Sequence, residues 1–221
     1  MHVRHQLPKL AIIVLLLCNA GAALAFPSVA RKTKMSCATC HTCVAGGSAL
    51  TAAGTAYKAD NTKVPAASVA GSDYVGSQKC KMCHSKQHKA YLDTKHSKAL
   101  ASLASGDAAV IASQAKALGV TLTGSAATND ACLICHTVGF KLGGYPPADT
   151  SKTVAFSNVG CEMCHGPGSK HVAAEKTEKK ALINIPKTEV MCKDCHTAVN
   201  SPKFVFAEYM KKGVHIVPAA Q

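Results

Sequence analysis

Cys161 to His165 read CEMCH, and copies of this five-residue unit along the chain decide the fold. Two thiols three positions apart, followed at once by an imidazole, form the attachment signature of c-type haem. The thiols add to the two vinyl groups of the porphyrin, and the histidine reaches one axial position of the iron. The unit occurs five times, at Cys37-Cys40-His41, Cys80-Cys83-His84, Cys132-Cys135-His136, Cys161-Cys164-His165 and Cys192-Cys195-His196.

Zinc sites and redox-active dithiols also use paired cysteines. Zinc does not require a histidine directly after every second cysteine, and a redox dithiol needs only one copy of the pair. We therefore expect five covalently attached c haems per chain. The iron would be held on its proximal side by the histidine of each unit, namely His41, His84, His136, His165 and His196.

The composition agrees with a fold built around these groups. The 221 residues include no Trp and only 5% aromatic residues, which is little volume for an ordinary core, and five flat apolar haems would replace it. The formal net charge is +13, but two propionates per haem bring about −10. The lysines are therefore expected to be surface groups and propionate partners, and no nucleic-acid partner is predicted.

The N-terminus predicts export from the cytoplasm. Arg4 and Lys9 precede the apolar run LAIIVLLL (10–17), and Ala23-Leu24-Ala25 is a small-x-small cleavage site, as in a secretory signal peptide over 1–25. A membrane anchor is the alternative, but the run is short for a span and lacks a basic stop after it. We expect a periplasmic or extracellular protein with no stable membrane span after cleavage.

Sixth ligands to the irons can be counted from the histidines. Apart from the five proximal residues and two histidines before the cleavage site, four remain: His88, His96, His171 and His215. Each is a candidate distal ligand, with an ordinary surface or propionate-bonded histidine as the alternative. At most four irons can then have two histidines. The fifth must use Met, Lys or water, stay open, or take a histidine from a neighbouring molecule.

The motifs divide the mature chain into two predicted domains. Residues 26–72 carry the first motif and a spacer (44–72) rich in Ala, Gly, Ser and Thr, and residues 73–221 carry the other four. The expected fold class is mainly α and loop-rich, with short helices around closely packed haems and little or no sheet. Helices are predicted at Ser85–Leu92, at Lys95–Leu103 after a Thr94 cap, at Ala108–Leu118 and at Phe204–Lys212.

Residues 74–215 resemble the cytochrome c-554 family, a set of four-haem electron carriers with mainly helical folds. The matching stretches are YVGSQKCKMCHSKQHKAYLDTKHSKAL (74–100), CLICHTVGFKLGGY (132–145), VGCEMCHGPGSKH (159–171) and CKDCH (192–196). The fifth motif is an addition to this pattern. Its surroundings, ARKTKMSCATCHT (30–42) and GTAYKAD (54–60), resemble single-haem modules of other multihaem proteins.

The resemblance also implies ligands. Its positions suggest that His96 serves the iron of His165, that His171 serves the iron of His196, and that His215 serves the iron of His84. It implies a five-coordinate iron at His136. His88 has no counterpart in the family, so it either closes the His136 site or serves the first haem.

The leading functional hypothesis is a five-haem electron carrier in a respiratory chain, without enzymatic activity. Its partners would be other cytochromes, oxidoreductases or quinol-linked membrane complexes. One alternative is a small nitrogen-oxide reductase acting at an open haem. Another is a homo-oligomer, a polymeric haem wire in which a borrowed histidine completes the last iron. Cys43 is left without a partner, as a buried thiol or as half of an intermolecular disulfide.

Overall fold

A computed structural model describes residues 29, 33, 35, 37–41, 50–63, 73–183, 189–212 and 214–215. Within these ranges the protein is built from short helices and long loops, which confirms the mainly α fold class. Strand-like pairing is limited there to two isolated bridges, between His41 and Leu50 and between Thr137 and Ser157. The predicted signal peptide and Cys43 lie outside the described residues. No helix in the described ranges has the length and apolar character to cross a bilayer.

Twelve α-helices are described, and most have fewer than nine residues. In chain order they are α1 Cys37–Cys40, α2 Ala52–Ala59, α3 Ser77–Lys81, α4 Ser85–Leu92, α5 Ala99–Ser105, α6 Ala108–Ala117, α7 Asp130–His136, α8 Thr153–Phe156, α9 Cys161–His165, α10 Ser169–Ala173, α11 Glu189–Lys193 and α12 Phe206–Met210. Single 3₁₀ turns lie at Lys95–Lys98, Ala126–Thr128, Thr150–Lys152 and Lys179–Leu182.

The longest helix, α6, follows its sequence signals closely. The Asp107 carboxylate accepts the backbone N–H groups of Ala109 (2.8 Å) and Val110 (3.0 Å), so it caps the first turn. Gly119 follows the helix with φ +66°, a left-handed conformation that ends helices. Helix α4 also has the predicted bounds.

Two other helix predictions had the wrong bounds. The stretch predicted as Lys95–Leu103 is a 3₁₀ turn followed by α5, which starts later and ends at Ser105, because the Thr94 hydroxyl donates to Tyr91 O (2.7 Å) and closes the preceding helix instead of capping the next one. The C-terminal helix begins at Phe206 and ends at Met210, inside the predicted range.

Part of the predicted spacer is folded. Helix α2 lies inside residues 44–72 and packs on α1, so that stretch is not wholly a loose linker. Thr51 starts α2 by accepting the Gly54 N–H (3.1 Å), while its hydroxyl donates to Thr39 O (2.8 Å). Gly54 is buried, and a Cβ built there would lie 1.9 Å from Cys40 O. The first haem motif is therefore held by a close local contact.

The apolar core of the larger region is small. Val138, Phe156 and Met163 are buried together, with Tyr74 and Tyr145 packed against them. The Val138 N–H donates to Phe156 O (2.9 Å), which ties the loop after α7 to the end of α8. So few buried side chains agree with an interior that is completed by prosthetic groups.

Candidate haem-binding sites

Each of the five Cys-x-x-Cys-His units lies on a short helix or at the end of one: α1, α3, α7, α9 and α11. A helical turn places cysteines three positions apart on the same side, with the histidine one position further on. The turn is closed in two motifs by His84 N–H to Cys80 O and by His196 N–H to Cys192 O, both at 2.8 Å. This local geometry suits two thioether bonds to one porphyrin and an axial bond to its iron.

Three motif histidines face a second histidine across a common gap. Two imidazoles that bind one metal ion from opposite sides have metal–nitrogen bonds of about 2 Å each, which puts their ring centres about 6 Å apart. The observed ring-centre separations match this spacing. They are 6.1 Å for His84 and His171, 6.0 Å for His96 and His196, and 5.9 Å for His165 and His215.

These pairs differ from the ligand assignment that the family resemblance implies. The rings that lie near each other are those of His96 and His196, His171 and His84, and His215 and His165. Which histidine binds which iron stays a prediction.

Long-range contacts explain one of these differences. The Ser169 N–H, at the start of α10, donates to Asp73 O (3.0 Å). This bond holds the helix that carries His171 against the segment leading to the motif of His84. Contacts between distant segments therefore determine which imidazole lies near which motif. The order of residues along the chain does not reveal these contacts.

Hydrogen bonds at Nδ1 orient three of the histidines. Nδ1 lies 2.7 Å from Ala99 O in His136, 2.8 Å from Lys179 O in His171, and 2.9 Å from Ser201 Oγ in His196. A carbonyl oxygen only accepts, so Nδ1 of His136 and of His171 carries the proton and donates it. Nε2 is then left with a lone pair, which is the form that binds iron.

His136 is not a member of the three histidine pairs. Among the described residues its fixed contact is with Ala99 O, and it lies close enough to His196 to contribute, after burial, to lowering the pKa of that residue. Among the residues that the structure describes, His136 has no second imidazole paired with its ring in the way that His84, His165 and His196 have. His41 takes part in the bridge to Leu50.

His88 lies on α4, four residues after His84. It is 5% exposed, and its ring centre is 6.0 Å from that of Tyr91. Burial lowers the pKa of His88, and the positive charge of Lys81 lowers it further, so the neutral imidazole that a ligand requires is favoured. His88 is buried as a distal ligand should be, but it does not pair with a motif histidine in the way that His96, His171 and His215 do.

The motifs around His84 and His165 are interlocked. The Cys80 and Cys161 thiols lie close enough to interact, which raises the pKa of Cys80 and lowers the pKa of Cys161. Cys80 Sγ also donates to Gly76 O (3.8 Å). Ser77 Oγ accepts the Cys161 N–H (3.2 Å). Since each sulfur would carry a porphyrin edge, the two prosthetic groups would lie side by side, as rapid electron transfer requires.

Sequence reasoning missed several residues that shape these sites. Glu162, between the cysteines of the fourth motif, is 3% exposed and binds backbone N–H groups. Phe204 stacks on the His196 ring (ring centres 4.8 Å apart, planes at 12°), and Tyr209 meets the same ring edge-on. An acid between two haem cysteines was a usable signal, whereas nothing in the sequence linked Phe204 to His196.

Two comparisons with known proteins found a match in sequence. Residues 79–166 match the family described as Cytochrome c554 and c-prime. The chain is 36% identical over 101 residues to Cytochrome c-554 of Nitrosomonas europaea, an alignment that covers 45% of this chain and 40% of the relative. No solved structure matches the chain.

Proposed function

We propose, from the match of residues 79–166 to the family described as Cytochrome c554 and c-prime, that this chain is a multihaem c-type cytochrome that transfers electrons one at a time. Five haems per chain would be attached at the five motifs, four in a domain over 73–221 and one in an N-terminal module. The bound haems supply the change between ferric and ferrous iron. The polypeptide provides the thioether cysteines, the axial histidines and the spacing.

The three histidine pairs are the observation that carries this proposal. His84 with His171, His196 with His96, and His165 with His215 would each hold one iron between two imidazoles. Iron with two histidine ligands has a lower potential than iron with Met and His, and it has no free position for a substrate. Such sites suit electron transfer better than catalysis.

A second candidate function is reduction of a small nitrogen oxide at an open iron on His136. It is supported by the described residues, among which no second imidazole pairs with the His136 ring. Arg31 is the one arginine beyond the predicted signal peptide, so no arginine cluster for an oxyanion is evident in the sequence. A polymeric haem wire would instead complete this iron with a histidine from a second copy of the chain.

The proposed partners are redox proteins that meet a basic surface outside the cytoplasm. Six exposed lysines lie within residues 79–98, around the motif of His84, and none forms an ion pair with a residue that the structure describes. They are Lys79, Lys81, Lys86, Lys89, Lys95 and Lys98. Unpaired positive charge of this kind accelerates association with an acidic partner and makes the rate depend on salt.

Two measurements on protein purified from its native host test the proposal. Mass spectrometry should find about 0.6 kDa of added group per motif, about 3 kDa in all, and a chain lacking residues 1–25. Electron paramagnetic resonance of the oxidised protein should show mostly low-spin iron. A colourless preparation would contradict the proposal, and mostly high-spin iron would favour the reductase.

A further inference from the structure

The carboxylate of Glu162 is buried between two haem motifs, and its hydrogen bonds define its charge. Oε1 accepts N–H groups from Gly168 (2.7 Å) and Val75 (3.0 Å), and Oε2 accepts them from Gly76 (2.8 Å) and Val75 (3.2 Å). Both oxygens thus face donors, and neither faces an acceptor to which a carboxylic O–H could donate. Burial raises the pKa of Glu162 above its ordinary value, and the N–H groups of Val75, Gly76 and Gly168 offset part of this rise. The donor-only surroundings fit the ionised carboxylate.

The backbone forms a cradle that admits this carboxylate. Gly76 has φ +82°, a left-handed conformation that suits glycine, and a Cβ there would lie 2.7 Å from the Ala155 Cβ. At Gly168 a Cβ would lie 3.2 Å from Oε1. The absence of side chains at both positions lets two N–H groups approach the oxygens closely.

The charge lies beside both members of the interlocked pair. Glu162 belongs to the Cys161–Cys164 motif, while Val75 and Gly76, which hold it, immediately precede the helix that carries Cys80. Its negative charge acts on both Cys80 and Cys161, the sulfurs that would carry two different porphyrins. A charge in a poorly solvated interior is weakly screened, so its effect on a nearby iron is larger than that of a surface acid.

We propose that Glu162 is a fixed negative charge shared by the haems of Cys80–Cys83 and Cys161–Cys164, and that it lowers the reduction potential of both. Reduction adds one electron to each iron and transfers no atom, so a nearby negative charge favours the ferric state. Glu162 acts through the field at the irons and is not an iron ligand. This inference rests on haem attachment at the two motifs, as the proposed function states.

The test is a redox titration of holoprotein, followed by electron paramagnetic resonance, for wild type and Glu162→Gln. Loss of the charge should raise the ratio of reduced to oxidised iron about tenfold at a fixed solution potential, at two of the five centres. Unchanged ratios in a folded Glu162→Gln protein would overturn the proposal.

Two control variants separate charge from structure. Ser77→Ala removes the bond to Cys161 N–H without changing charge, and Glu208→Gln removes an exposed acid paired with Lys211. Both should leave the ratios at these two centres within about twofold of wild type. A tenfold rise of the ratio of reduced to oxidised iron in Ser77→Ala would show that loosening the contact between the two motifs is enough to shift the potentials. This result would also overturn the proposal.

If Glu162→Gln yields no holoprotein, the fixed charge is tested with Glu162→Asp, which keeps the charge. Ratios within about twofold of wild type support the fixed charge, and a tenfold change contradicts it. Haem content by mass is measured first for every variant. A wild type with fewer than five haems would contradict the proposed function, whereas five haems with no shift in Glu162→Gln would contradict only this inference.

Discussion

The site of His84 and the site of His136 are built in different ways. His84 faces His171, which reaches it from a distant part of the chain through contacts such as Ser169 N–H to Asp73 O. His136 lies on α7 and is fixed by one carbonyl, Ala99 O. The paired sites therefore bring two imidazoles from distant segments together, whereas the His136 site presents one imidazole held by a backbone carbonyl, and the N-terminal motif is held by the neighbouring helix α2.

This difference shows where the prosthetic groups would contribute to folding. An iron between two imidazoles from distant segments cross-links those segments, so its binding free energy becomes folding free energy. At His136 the same bond would stabilise only one element. We therefore expect changes at the paired sites to spread through residues 73–215, and changes at locally built sites to stay local.

The largest effect is expected at the N-terminal motif, from Gly54→Ala. The added Cβ would meet Cys40 O at 1.9 Å, and overpacking against backbone costs more than about 3 kcal/mol. Helices α1 and α2 should separate, and the first haem should be lost. Mass spectrometry should then find about 0.6 kDa less attached group, with the other four haems in place.

The control for this prediction is Ala52→Ser, on the exposed start of α2, which should keep all five haems. Loss of all five haems in Gly54→Ala would show that the N-terminal site is not locally built.

Removal of a distal histidine should have the next largest effect. His171→Ala should convert one low-spin iron to high spin, because its sixth position loses an imidazole, and added imidazole should restore the low-spin signal. Electron paramagnetic resonance measures the change. An unchanged spectrum would contradict the assignment of His171 as a ligand.

A double variant shows which iron His171 serves. In protein lacking the second haem (Cys80→Ser with Cys83→Ser), His171→Ala should add no further high-spin signal if His171 pairs with His84. A new signal in that background would instead favour the pairing with His196 that the family resemblance implied. The variant thus separates the geometric assignment from the positional one.

Replacement of His88 should have a smaller effect than replacement of His171. Five irons share four candidate distal histidines, so we expect one iron of the wild type to bind cyanide. His88→Ala should raise the number to two, because a buried neutral imidazole is lost. Cyanide binding followed by optical spectroscopy counts the open irons. Two open irons in the wild type, with no change in His88→Ala, would show that His88 is not a ligand.

The correct predictions from the sequence concern local structure. The helix at Ala108 follows from Asp107 and Gly119. Haem attachment at the five Cys-x-x-Cys-His units stays a prediction. The four candidate distal histidines followed from counting, and the structure brings three of them opposite a motif histidine.

What the sequence could not predict depends on contacts between distant residues. The partner of His171 is set by a backbone hydrogen bond between Ser169 and Asp73, which no pattern of side chains encodes. The role of Glu162 likewise requires the N–H groups of Val75 and Gly76 to converge on it from another segment. Position within a family pattern implies different pairs from those that the ring distances favour, because it carries no information about which helices meet.

The smallest expected effects come from the hydrogen bonds at Nδ1. Two substitutions, one at the His196 site and one at the His136 site, should change the ratio of reduced to oxidised iron in opposite directions. Ser201→Ala removes the acceptor for His196, which makes the imidazole a weaker donor to iron, so the ratio of reduced to oxidised iron should rise about twofold at that centre. Ser201→Thr should restore the ratio.

Ser102 Oγ donates to Ala99 O (2.7 Å), the carbonyl that also holds His136. Ser102→Ala removes this competing donor, strengthens the bond to His136, and should lower the ratio there by a similar factor. Shifts of the same sign in both variants, measured by redox titration, would mean that a general loss of packing, and not the basicity of each imidazole, sets these potentials.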